Sequence, residues 1–449
     1  MTPAGVATAE PTRRIRRLGS FETAACLTSE FEPFNIVLHL VLEKAPDPDV
    51  VRATLTRWVQ QQQIASLTIL KDGKQRWFGR VKPVDVPISC DNLKSEDDQA
   101  RIIEQELNKR LPNEDGTLFR FSYYLDCTQT TKGHLILAFH HALVDGSCLV
   151  VLIRELMKGF LAGEQHESQM KFTEEAESSE AYFPKPFCGL ELRRRVLGMQ
   201  FRELVNELKF RLTSPKGAIR PVAAQSKCRT LVTSWCKEVT ADLLRESRRR
   251  RCTLVAMLHA SMLLAVNKCL FEDRKRRHRL IAFYDLRPYL DPPLPAQQIG
   301  AHLTMGRFAE TVQAGMEFWE LATRIQAQIY DFGKSGDKFV SNHLTQFTLK
   351  TLIALKRMRM GSTAISYTGS VPPLAPPGLP FDMTEFHAFV SNISLGPFFT
   401  ANSRIFSQRL ILDCLYLEGD IEPGTAQSIV NEMRNILETA IGRNRDVNE

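Results

Sequence analysis

Residues 134–148 read HLILAFHHALVDGSC: an apolar run into two adjacent histidines, three residues more, then Asp145 and Gly146. HLILAFHH (134–141) has the length and composition of a buried strand, and SCLVVLIRELMKGFLAG (147–163) reads as a helix. The histidines therefore stand at a strand–loop–helix junction. Alternation along a strand sends His140 and His141 to opposite faces, so only one of them points into a shared cleft. The other is held in the core or against the sheet. An imidazole that titrates near neutrality is suited to taking a proton from a hydroxyl or an amine. Asp145 either orients that ring or builds the loop by pairing with a basic residue. Gly146 permits a backbone geometry or a close ligand approach that a Cβ would block.

Strands and helices are mixed on both sides of this junction. Upstream, NIVLHLVLEK (35–44) reads as a strand, DPDVVRATLTRWVQQQQ (47–63) as a helix with Asp and Pro at its start, and KDGK (71–74) as a hairpin turn. A second amphipathic helix is predicted over 96–110 and a further strand over 118–126. Residues 164–182 are acidic, polar and nearly free of large aliphatics, as a linker or surface loop would be. A helix over 189–212 continues the crossing and TSPKGAIRP (213–221) ends it. Beyond it come a strand within 229–239, one long helix over 241–270, a strand over 279–287 and a helix over 316–332. Strands over 386–395 and 409–418 and a helix over 423–441 close the chain. The order is α/β in both halves, with helices packed on strongly twisted mixed sheets.

Composition excludes several classes. The 449 residues carry 58 Lys and Arg against 51 Asp and Glu, a net charge of +7, and 43% are hydrophobic, which is ordinary for a folded chain. The longest mostly apolar run, LVAMLHASMLLAV (254–266), falls short of the ~20 residues a membrane span needs. No apolar stretch follows the basic residues at the N-terminus, so no secretory signal is expected, and the expected location is the cytoplasm. The ten cysteines form no CxxC pair and no metal-like spacing; they read as buried hydrophobes or free thiols, with no metal site. Two basic clusters, Arg248–Arg251 with Arg245, and 274–279, lack the flanking aromatics of a nucleic-acid surface. They are solvated helix ends, or a face for a phosphate-bearing cofactor or an acidic carrier protein.

His140-His141-Ala142-Leu143-Val144-Asp145-Gly146 resembles the HHxxxDG motif of the condensation-domain and CoA-dependent acyltransferase superfamily. LGSFETA (18–24) is similar to the family's N-terminal LGxxE segment, and GTLFRFSYYL (116–125) to the strand beside the motif strand. YDLRPYL (284–290) with IGAH (299–302) resembles its LRP motif, and FVSNISLG (389–396) the SN-G segment of standalone members. The nearest subgroup is standalone alcohol acyltransferases of the polyketide-associated type. Two features depart from related patterns. Gln62-Gln63-Ile64-Ala65 stands where members often carry His-Pro, and the DFGWG string of plant acyltransferases is absent.

The resemblance implies two chloramphenicol-acetyltransferase-like lobes joined in a V, with a central tunnel that holds the motif. Residues 1–180 form the first lobe, 181–222 the crossing segment and 223–449 the second lobe. His141 is then the general base, with His140, Asp145 and Gly146 completing the catalytic loop. Asp145 is an anchor paired with Arg287, Gly146 lets the thioester arm pass, and Ser391 and Asn392 are hydrogen-bond donors across the tunnel. Arg248, Arg249, Arg250 and Arg251 are the candidate contacts for the phosphates of CoA or for a carrier protein. The expected reaction moves an acyl group from acyl-CoA, or from a phosphopantetheine-linked carrier, to an alcohol, on a monomer with no tightly bound cofactor. Amide formation with an amine, and a non-catalytic carrier-docking role, are the alternatives. A thioester is already activated, so alignment and proton removal suffice and no acyl-enzyme is required. Protonated His141 or an amide near Gly146 would meet the oxyanion. Cys148, at the start of a helix, is read as buried packing and not as a nucleophile.

Overall fold

The computed structural model describes residues 13–62, 64–81, 88–93, 95–114, 116–126, 132–163, 177–213, 226–355 and 359–443. The first half begins β1 (Arg13–Arg17), α1 (Ser20–Phe31), β2 (Asn35–Glu43), α2 (Pro48–Gln61), β3 (Leu67–Asp72) and β4 (Gln75–Arg80). It continues β5 (Ile88–Leu93), α3 (Glu96–Asn108), β6 (Phe119–Asp126), β7 (Lys132–His140) and α4 (Gly146–Ala162). Helix α5 (Gly189–Thr213) follows. The second half begins β8 (Cys228–Trp235), α6 (Lys237–Arg249), α7 (Leu254–Phe271), β9 (Arg276–Asp285), β10 (Leu303–Val312) and α8 (Phe318–Ser335). It ends α9 (Asp337–Leu355), β11 (Thr363–Ser370), β12 (Asp382–Val390), β13 (Phe399–Phe406), β14 (Arg409–Leu417) and α10 (Pro423–Ala440).

Two large sheets carry the two lobes, in the order β12-β2-β7-β6-β5 and β10-β9-β11-β13-β14-β8, and a small third sheet has the order β1-β4-β3. Strand β2 shows why they meet. Its residues are buried from Asn35 to Leu42, which requires cover on both faces. Leu38, Leu40 and Leu42 pack into the first lobe's core with Val51, Leu55 and Leu152 from α2 and α4. The opposite face joins an inter-lobe cluster in which Val37, Ile136 and Ala138 meet Cys228, Leu415 and Leu417 of the second sheet. Strand β12, from the second half of the sequence, pairs antiparallel with β2, Phe389 opposite Val37. A strand of the second half is therefore built into the first sheet.

Several expectations need correction. The single helix over 241–270 is two helices, because Arg251 takes a left-handed backbone (φ 54°) and the Thr253 side chain caps Ala256 N to restart α7. Arg248–Arg251 thus fall at the C-terminal end of α6, where cations suit the helix dipole. Helix α7 extends beyond the apolar run to Phe271 and is long and apolar enough to cross a membrane. It is 67% buried and forms the spine of the second lobe's core with Leu258, Met262 and Val266. The proline-rich stretch 371–380 contributes Val371 and Leu374 to the first lobe's core. Residues 164–176 of the expected linker and 214–221 of the expected end of the crossing lie outside the described residues.

Candidate active site

Strand β7 ends at His140, and the chain turns there, Leu143 N donating to His140 O at 2.9 Å. The two histidines adopt opposite tautomers. Ala142 N donates to His140 Nδ1 at 3.1 Å, so His140 carries its hydrogen on Nε2 and donates it to Asn113 Oδ1 at 2.6 Å. With both nitrogens engaged and no exposure, His140 is a neutral strut, its pKa pushed down to about 3 by burial. It does not line the cavity described below. His141 is the reverse case. Its Nδ1 lies 3.2 Å from Val144 O, a group that only accepts, so Nδ1 holds the hydrogen and Nε2 the lone pair. Phe34 stacks on the ring at 4.9 Å and Phe21 meets it edge-on at 5.5 Å. Burial lowers the His141 pKa, outweighing the backbone bonds and the nearby Asp145 charge, so the ring is neutral at pH 7.

Asp145 makes no bond to that ring. Its Oδ1 accepts Cys148 N at 3.1 Å and caps α4; its Oδ2 accepts Arg287 Nη1 at 2.6 Å and His302 N at 2.9 Å. Arg287, 2% exposed, extends the join by donating from Nη2 to the carbonyls of Gln298 and Gly300 at 3.0 and 3.1 Å. Ser147 Oγ adds a bond to Asp285 Oδ2 at 2.7 Å. Burial alone raises the Asp145 carboxyl, but Arg287 and the Cys148 amide outweigh it and hold the pKa below the ordinary carboxylate range. The motif loop of one lobe is therefore bolted to the loop after β9 in the other.

Gly146 needs no special backbone, since it is not among the residues of positive φ, and a Cβ there would meet only Thr368 Oγ1 at 3.8 Å. The glycine is therefore not required by the backbone, and the missing Cβ leaves open space on the cavity wall that it shares with His141. Cys148 is buried, and burial pushes its thiol up to about 12, so the helix N-terminus does not yield a thiolate. Ser391 and Asn392 reach the cavity wall, but their polar groups serve the loop. Ser391 Oγ accepts Asn35 N at 3.0 Å and donates to Leu107 O at 2.8 Å. Asn392 Nδ2 donates to Pro397 O at 3.0 Å and its Oδ1 accepts Ile393 N at 3.0 Å. A Cβ on Gly396 would come within 2.6 Å of that Oδ1, which accounts for the glycine in the segment. Both residues therefore shape the wall and are not free donors across it.

The cavity lies between the lobes and has a volume of about 180 Å³. Phe21, Phe34, Ile36, His141 and Gly146 line its first-lobe side. The other wall is one face of the second sheet, with Met305 from β10, Ile281 and Phe283 from β9, Ala364, Ser366 and Thr368 from β11, and Asn402 from β13. Ser366 pairs in register with Asn402, so their side chains stand together on an otherwise apolar wall. The four phenylalanines at 386, 389, 398 and 399 are core and do not line it. Met305 and Thr345 are shared with a neighbouring cavity of about 430 Å³. That one in turn shares Arg307 and Gln328 with a third, lined also by Arg277 and Arg279. None of Arg248–Arg251 lines these three cavities. Arg249 and Arg250 pair with Glu246 on their own helix, and Arg250 lies over Trp319. Sequence reasoning missed Ser366, Thr368 and Asn402, whereas Arg277 belongs to the basic cluster 274–279 that it had singled out. The alternation A-S-T at 364, 366 and 368 within TAISYTGS was the available signal for the first two.

The Condensation domain family matches residues 26–185, and the family described as phthiocerol/phthiodiolone dimycocerosyl transferase C-terminus matches residues 226–408. No curated protein matches. Among solved structures, the TRI3 trichothecene 15-O-acetyltransferase of Fusarium sporotrichioides superposes with TM-score 0.72 at 11% identity, covering 98% of this chain and 100% of its own. Polyketide synthase associated protein 5 of Mycobacterium tuberculosis gives 0.66 at 16% identity, with coverage of 95% and 99%. The starter condensation domain of rhizomide synthetase, solved with C8-CoA and Leu-SNAC, gives 0.61 at 12% identity, with coverage of 96% and 94%. At such identities these likenesses establish the two-lobed fold.

Proposed function

The chain belongs to the condensation-domain superfamily and is a transferase of that type, and from that premise we propose that it moves an acyl group from a thioester to an alcohol, with His141 as general base. The observation that supports the reading is the His141 tautomer: with Nδ1–H held by Val144 O, Nε2 keeps the lone pair on a ring that lines the inter-lobe cavity. The alcohol's O–H gives its proton to Nε2 as its oxygen attacks the thioester carbonyl. The tetrahedral species then expels the thiol sulfur, which takes the proton back from the imidazolium. Asp145 and Arg287 hold the loop, and Ser366, Thr368 and Asn402 are the polar side chains of the facing wall available to the oxyanion. The apolar remainder of the wall suits an acyl chain. An alcohol acceptor is supported by the likeness to a 15-O-acetyltransferase, and a CoA donor by the likeness to a domain solved with C8-CoA. For donor phosphates, Arg277, beside Arg279 and Arg307 at the end of the connected cavities, is better placed than Arg248–Arg251. No tightly bound cofactor enters this scheme. The test is thiol release from a panel of acyl-CoA thioesters with and without alcohols and amines, for wild type and His141→Ala. Alcohol-dependent release that falls about 10²-fold or more in the variant is expected. Release stimulated only by amines overturns the acceptor, and an equally active variant overturns the base.

A further inference from the structure

Helix α5 turns its leucines outward. Leu190, Leu197, Phe201, Leu204 and Leu208 are between 52% and 81% exposed. At 100° per residue they fall within an arc of about 60° and run for about 27 Å along the helix. Two of the helix's three acids turn to the second sheet, Glu203 reaching Arg307 of β10 at 3.1 Å and Glu207 reaching Arg279 of β9 at 2.6 Å, while the exposed Glu191 pairs with Arg195 on the helix itself, about 110° from the centre of the stripe. An ordinary surface helix has the opposite arrangement. Arg193 and Arg194, both exposed, flank the stripe on its two sides, and no Asp or Glu lies within about 90° of its centre.

We propose that α5 is a peripheral membrane-binding helix that lies in the interface of an anionic lipid surface, with Leu197, Phe201 and Leu204 in the acyl region and Arg193 and Arg194 at the headgroups. The chemistry that selects this occupant is the pairing of a narrow, large-aliphatic stripe with cations on both flanks and no acid on the stripe or its flanks, the pattern of helices that lie along a bilayer. The chain's net charge of +7 acts in the same direction. This inference is independent of acyl transfer, since none of the stripe residues lines the cavity of His141 or the two cavities connected to it. The test uses the full chain and sedimentation with vesicles of phosphatidylcholine alone or mixed with phosphatidylglycerol. Wild type is expected to bind the mixed vesicles at least about tenfold more tightly than the neutral ones. The L197Q/F201Q/L204Q variant loses binding to both while keeping its circular dichroism spectrum and its thiol release with short soluble substrates. The R193Q/R194Q variant loses the preference for phosphatidylglycerol. Absence of wild-type binding to the mixed vesicles overturns the proposal, as does a triple variant that still binds like wild type. So does a wild-type dimer, measured by light scattering, that the triple variant abolishes while vesicles go unbound: the stripe is then a contact between copies. An acidic carrier protein that binds the stripe while vesicles go unbound overturns it as well.

Discussion

Asp145 and Arg287 are separated by 142 residues and share one buried ion pair, with side chains 4% and 2% exposed. Removing one partner strands the other charge, at a cost of about 3–5 kcal/mol. Arg287→Met leaves the Asp145 carboxylate with only the Cys148 and His302 amides, so it belongs at the upper end of that range. Asp145→Asn leaves Arg287 with Asp285 at 3.3 Å and two carbonyls, so it belongs at the lower end. The double variant removes both charges and is expected to recover roughly 1–3 kcal/mol relative to the sum of the singles. The sign with pH follows from Asp145, whose folded pKa lies below the ordinary carboxylate range. Its contribution is present above the unfolded value of about 4 and is lost as pH falls through the lowered folded value, so the gap between wild type and Asp145→Asn narrows in acid. Urea denaturation followed by near-UV circular dichroism measures the stabilities, and thiol release measures the activity of the same proteins. Since Asp145 bonds neither nitrogen of His141, activity in the double variant should return with stability, to within about tenfold of wild type. Single variants within about 1 kcal/mol of wild type would refute the ion-pair argument. A stable double variant still depressed about 10²-fold or more would show that Asp145 acts on the ring and not only on the loop.

Three further outcomes follow from the same geometry. Protonated His141 is no base, so kcat/KM should fall as pH drops through a value below the ordinary imidazole range near 6.5, as its burial dictates; a limb above 6.5 in the pH profile argues for a different group. Gly146→Ala should leave thermal stability nearly unchanged, since its Cβ meets only Thr368 at 3.8 Å, and raise the donor KM by crowding the space beside His141; a large loss of Tm with an unchanged KM would reverse that assignment. Charge reversal at Arg277 should raise the KM for acyl-CoA with little change in saturated turnover, and more than reversal at Arg248 and Arg251 together; titrating the donor against each variant decides which cluster meets the phosphates.

What the sequence made legible was local chemistry and its periodicity. The strand–loop–helix around His140 and His141 follows from HLILAFHH and the helix after it, and strand alternation already separated the two rings. Which ring faces the cavity is decided by bonds no spacing encodes: Ala142 N on His140 Nδ1 and Val144 O beside His141 Nδ1. The second half of the cavity was illegible for another reason. Helix α9 packs α1 and β10 at once and buries Lys338, Asn342 and Thr345 among its apolar residues, which blurs the 3.6-residue period by which it would be read. Strand β11 carries Ser and Thr on its cavity face, where alternation is expected to mark the core.

Helix α5 shows the limit most directly. Leu197, Phe201, Leu204 and Leu208 recur at i, i+4, i+7 and i+11, and a periodic reading assigns such a stripe to the protein interior. Periodicity fixes which side chains share a face, but not which face the rest of the chain will cover. Here Arg279 and Arg307 on the second sheet pair with Glu207 and Glu203, and that pairing turns the polar side of the helix inward. Those arginines lie 72 and 104 positions from their partners, well outside any window in which a helix is read. The exposed stripe is thus a consequence of tertiary ion pairs, and neutralising Glu203 and Glu207 together should loosen the helix from the sheet without altering its period.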